Sequence, residues 1–86
     1  MRIDKFLKVS RLVKRRTVAK EMAAQDRLLV NDQPAKAGTN LTLGDEVTIR
    51  YGHRVLTVKV QHLQDTVKKE SAEDLYAIIR EESINA

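Results

Sequence analysis

Cysteine is absent from this 86-residue sequence, which excludes disulfides and thiolate metal sites. Aromatic residues number three, Phe6, Tyr51 and Tyr76. That is too few for the stacking platform on which proteins that read single strands lay successive bases. The glycines, Gly38, Gly44 and Gly52, are scattered, so no glycine-rich loop is available to cradle a phosphate. No apolar run approaches the ~20 residues that span a bilayer. The opening MRIDKFLKVSRLVKRR puts charges between its apolar residues and lacks the uninterrupted stretch of a signal peptide. With cysteine also missing, the expected location is the cytoplasm. HExxH and GxSxG patterns are absent, and the two histidines, His53 and His62, fall in a predicted turn and at a strand end. The sequence is expected to be no enzyme and to need no cofactor or metal.

What remains is a soluble composition with an uneven charge. The chain is 42% hydrophobic and 33% charged, and its length allows one domain. The net charge of +4 says little by itself. Residues 1–20, however, carry Arg2, Lys5, Lys8, Arg11, Lys14, Arg15, Arg16 and Lys20 against Asp4 alone, a local +7. Residues 65–86 carry three basic and six acidic side chains, a local −3. Such asymmetry steers a polyanion onto one end of the molecule, and a polyanionic partner would relieve the self-repulsion of that end.

The first 25 residues read as two helices. Ile3, Phe6 and Leu7 follow helical spacing, with Asp4 at the cap or in the first turn. A second helix over roughly 16–25 places Ala19, Met22 and Ala23 on one face, and Arg16 and Lys20 one turn apart on another. Leu12 and Val13 pack beneath the intervening turn. Leu28-Leu29-Val30 is a short strand ending in Asn31-Asp32, residues that tolerate left-handed backbone. After a loop from Pro34 to Asn40, the runs 47–51 and 56–60 alternate apolar and polar around a Gly52-His53 turn, as in an antiparallel hairpin. Ser71-Ala72-Glu73-Asp74 has capping-box spacing, and Leu75, Ile78 and Ile79 follow as a helical stripe, so the tail is expected to be helical and to cover the sheet.

Read in order, R2-I-D-K-F-L, K14-R-R-T-V-A-K20, L28-L-V-N-D32 and L43-G-D-E-V47 resemble the S4 domain over roughly residues 1–50. The sequence departs from that pattern at Asp26 and Asp32, where glycine is usual, and at Arg15, where a capping serine is common. The chain as a whole resembles the short heat-shock-protein-15-like branch of S4 proteins. The resemblance implies an α+β fold with the S4-like alpha-L motif, in which an N-terminal helix pair precedes a small, mainly antiparallel sheet and a C-terminal helix. It divides the chain into an S4 RNA-binding domain at 1–64 and an acidic helical tail at 65–86. It further implies a monomeric factor of bacterial ribosome-associated quality control. Such a factor binds an obstructed large ribosomal subunit through 23S rRNA and the P-site tRNA, and it supports C-terminal alanine tailing with the partner RqcH. Arg2, Asp4 and Arg16 match positions that meet RNA in that family, and the remaining basic residues of 1–20 complete the expected RNA-binding set. Asp4 either caps its helix, orients Arg2 or Arg11, or accepts from a base or a 2′-OH. Two alternatives stay open: a stress-related rRNA-binding or large-subunit assembly factor, and a protein-recruiting adaptor acting through the C-terminal helix.

Overall fold

The computed structural model describes residues 1–83. Helix α1 spans Ile3–Val9 and buries Ile3, Phe6 and Leu7 completely, as their i, i+3, i+4 spacing requires. Helix α2 spans Arg16–Ala24 and turns the small Ala19 and Ala23 toward the core, which lets it lie close to α1. Arg15 occupies its N-cap with extended backbone and no side-chain cap, so charge replaces the usual capping hydroxyl. The helix ends in a Schellman motif: the Arg27 N–H donates to the Met22 carbonyl (2.9 Å) and the Asp26 N–H to that of Ala23 (3.1 Å). This geometry places Asp26 at φ 58°, the left-handed conformation that favours glycine.

Strands β1 (Leu28–Val30), β2 (Gln33–Pro34), β3 (Glu46–Arg50), β4 (Arg54–Val60) and β5 (Tyr76–Ser83) form one sheet in the order β2-β1-β3-β4-β5. Every neighbouring pair is antiparallel. Asn31 (φ 50°) and Asp32 (φ 67°) make the left-handed turn from β1 to β2 that their chemistry permits. The Asn31 side chain also ties two turns together, accepting from the Glu46 N–H (3.0 Å) and donating to Asp45 (3.2 Å). Asp45 accepts in addition from the Thr42 N–H at 2.9 Å, and this bond holds its carboxyl below the usual carboxylate range. The core lies between the helix pair and one face of the sheet, where Leu28, Val47, Ile49 and Val58 meet Phe6 and Leu7.

The tail differs from expectation. Its helix is a seven-residue 3-10 helix, Lys69–Leu75, with Ser71 inside it and Lys68 at its N-cap. No side chain caps it, so the capping-box pattern is not used. The following residues, Tyr76–Ser83, form β5 and not a continued helix, pairing with β4 from Val60↔Tyr76 to Arg54↔Ser83. Leu75 is buried, whereas Ile78 and Ile79 stand exposed. The stripe of three apolar residues therefore never lines one helix face. Without β5, strand β4 would leave a row of backbone donors and acceptors unpaired, and satisfying that row outweighs a weak helical pattern. The adaptor reading loses the long helix on which it rested. Residues 84–86 of the expected tail helix lie outside the described residues.

Candidate nucleic-acid interface

The start of α1 is held down by the 36–40 loop. The Ile3 N–H donates to the Thr39 carbonyl (2.8 Å) and the Asp4 N–H to that of Ala37 (3.3 Å). With the loop across it, the Asp4 side chain is fully buried. A buried carboxylate needs donors, and it finds four. Oδ1 accepts from the Lys5 backbone N–H (2.8 Å), Arg2 Nε (3.2 Å) and Arg16 Nη2 (3.2 Å), while Oδ2 accepts from Arg2 Nη2 (3.2 Å). Arg2 thus grips Asp4 with the two-pronged geometry that suits a carboxylate. Of the roles open to Asp4, the geometry gives it the orienting one toward Arg2, and toward Arg16 rather than Arg11. With no exposed surface, Asp4 belongs to the interface as the anchor beneath two guanidinium groups.

The anchor joins residues from both helices. The Arg2 and Arg16 side chains remain 51% and 42% exposed, so each keeps donors facing outward. Arg2 spends two of its five N–H groups on Asp4 and Arg16 one. The rest are free to span phosphate oxygens.

A second cluster surrounds the turn between the helices. Lys8, Arg11 and Lys14 rim a recess of about 310 Å³ with Val13 at its floor. None of the three side chains has an ion-pair or hydrogen-bond partner among the described residues. Arg11 sits at φ 63°, just past the end of α1. Across the turn, the Tyr51 hydroxyl donates to the Leu12 carbonyl at 2.6 Å, so the end of β3 props the loop that carries these cations. Burial raises the Tyr51 hydroxyl above its ordinary pKa, which keeps it a donor. The sequence offered no signal for that prop beyond a lone tyrosine at a strand end.

The other expected residues are placed differently. Arg15 and Lys20 are exposed and without protein partners among the described residues. Lys5 pairs with Asp65 across 60 residues, Nζ to Oδ1 at 3.0 Å. With Asp65 82% exposed, this contact is a screened surface pair, and it lowers the local positive charge more than it stabilises the fold. His53 and His62 are both exposed. No helix among the described residues is long and apolar enough to cross a membrane.

A cationic helix pair set on a small antiparallel sheet is the arrangement that the S4 resemblance implies. The S4 domain family matches residues 1–47, and the chain belongs to it. A Bacillus subtilis protein called RQC P-site tRNA stabilizing factor is 54% identical over 84 residues, covering 98% of each chain. A Listeria monocytogenes protein of the same name is 55% identical over 82 residues, 95% of this chain and 89% of that one. Among solved structures, the trimeric Heat Shock Protein 15 of Vibrio cholerae superposes with a TM-score of 0.85 at 29% identity, covering 91% of this chain and 80% of that one. Within the S4 proteins, the chain is a member of the heat-shock-protein-15-like family of RQC P-site tRNA stabilizing factors.

Proposed function

We propose that this chain is a non-catalytic RNA-binding factor of ribosome-associated quality control that steadies P-site tRNA on an obstructed large subunit. The observation that carries the reading is the Asp4 anchor. It fixes Arg2, at the start of α1, and Arg16, at the start of α2, as one cationic unit in a family whose relatives are named for tRNA stabilisation. Phosphate contacts of this kind position a protein on RNA without reading sequence. Three aromatic residues in the whole chain are too few for base stacking to dominate, which favours structured RNA over single strands. On this reading, the face formed by Arg2, Lys8, Arg11, Lys14, Arg15, Arg16 and Lys20 engages 23S rRNA and the tRNA, with Lys5 contributing once Asp65 releases it. The factor acts in the cytoplasm as a monomer and supports RqcH-dependent alanine tailing.

The test is sedimentation of the tagged protein from its own cells, with tRNA probed in each fraction. Lys8→Glu combined with Lys14→Glu is the informative variant, because neither side chain supports the fold. Co-migration of the wild type with tRNA-bearing large subunits, lost in the variant, is expected. A wild type that stays at the top of the gradient would refute the ribosomal role. Co-migration with tRNA-free precursors would instead favour an assembly factor.

A further inference from the structure

One groove shares only Lys20 with the basic face. It runs between the end of α2 and the 34–37 segment, an open recess of about 450 Å³, within the ~300–1,000 Å³ range of small-molecule sites. Its lining is unusual for so basic a protein. Ala24, Pro34 and Ala35 give it a smooth apolar wall, Lys20 and Lys36 stand on its α2 and loop sides, and Asp26 lies at its edge. Asp26 holds left-handed backbone at φ 58°, a conformation glycine would adopt without strain. The left-handed backbone serves the Schellman turn that ends α2, but the Asp26 carboxylate has no part in it and accepts no hydrogen bond among the described residues. It is left facing solvent as an acceptor beside an apolar wall.

We propose that this groove receives one unpaired nucleotide of the bound RNA. The inference rests on the RNA-binding reading above and goes beyond it. The base lies flat on Pro34, Ala24 and Ala35, and its phosphate meets Lys20 and Lys36. Its exocyclic amino group donates to Asp26, while the negative carboxylate keeps phosphate away from that end. The complementarity is specific. Two cations flank an apolar wall, and one acceptor lies where adenine, cytosine and guanine can present an exocyclic amino group, whereas uracil has only an N3–H between two carbonyl oxygens that a carboxylate repels. Lys20 belongs to α2, so the groove continues the cationic face of the helix pair.

The test compares two hairpin RNAs that are identical except for one unpaired adenosine, with a third carrying an unpaired uridine in its place, at one fixed salt concentration. The wild type is expected to bind the bulged hairpin about fivefold more tightly, the lower end of what a single base contact contributes. A 2-aminopurine placed at the bulge should change its fluorescence on binding. Ala24→Leu fills the groove from an exposed helix position and is expected to abolish the preference while leaving affinity for the paired hairpin unchanged. Asp26→Gly fits the left-handed backbone, so it keeps the fold, and it is expected to remove the preference for bulged adenosine over bulged uridine. Equal affinity for the two hairpins, or a preference that survives Ala24→Leu, overturns the groove assignment. Failure of the wild type to bind either hairpin overturns the RNA-binding reading itself.

Discussion

Replacing the two guanidinium groups above Asp4 tests whether that carboxylate governs stability as well as binding. The four donors are not equivalent. Arg16→Ala removes one bond from Oδ1, which keeps the Lys5 N–H and Arg2 Nε, so the expected cost is about 1–1.5 kcal/mol. Arg2→Ala removes two bonds and leaves Oδ2 with no donor, at an expected cost of about 2–3 kcal/mol. The double variant leaves a fully buried carboxylate on one backbone N–H. Its loss should be at least the sum of the singles, about 3–5 kcal/mol, the range for breaking a buried ion pair. A chain of this length has roughly 4–13 kcal/mol of stability in all. At about 4–8 °C per kcal/mol, the double variant should melt at least 12 °C below the wild type. Circular dichroism melts and urea titrations of the four proteins would measure this directly. A double variant melting within about 3 °C of the wild type would refute the reasoning, because Asp4 would then be satisfied without either arginine. The design also carries a warning for function. Loss of ribosome binding in Arg2 and Arg16 variants mixes two effects, and only variants at unpaired cations isolate the RNA contact.

Four further predictions concern other parts of the molecule. Lys14→Ala should leave the melting temperature unchanged and reduce the slope of log K against log salt by about 1 for RNA. Lys59→Ala, on the exposed face of β4, should change neither quantity, and a large loss of affinity there would move the RNA surface to the sheet. Tyr51→Phe removes the prop under Leu12 and should cost about 1 kcal/mol in urea unfolding, with faster amide exchange across residues 11–14 as the check. Asp45 has its folded pKa below the ordinary 3.8, so its contribution is present above that value and fades as pH falls through the lowered one. The stability gap between wild type and Asp45→Ala should accordingly shrink below about pH 4, and a gap that stays constant to pH 2 would exclude this source.

Much of the architecture is written in local sequence. Ile3, Phe6 and Leu7 specify α1 by spacing alone, because a helix repeats every 3.6 residues wherever it lies. Asp26, Asn31 and Asp32 accept left-handed backbone where glycine would be easier, and the turns form at those positions. The cationic bias of residues 1–20 needed only counting. The long-range partners were not legible. Asp4 is an ordinary first-turn carboxylate until the 36–40 loop buries it and Arg16, twelve residues away, closes over it. Lys5 counts as a free cation until Asp65 meets it from across the fold. Tyr76–Ser83 carries a pattern compatible with a helix, and it becomes a strand because β4 offers an open edge. Periodicity and turn chemistry are set by neighbours along the chain, so the helix pair, the hairpins and the charged end could be read before any fold was known. Burial of a carboxylate, neutralisation of a lysine and completion of a sheet edge depend on groups brought together only by folding, so tertiary structure alone decided how the charged end is built.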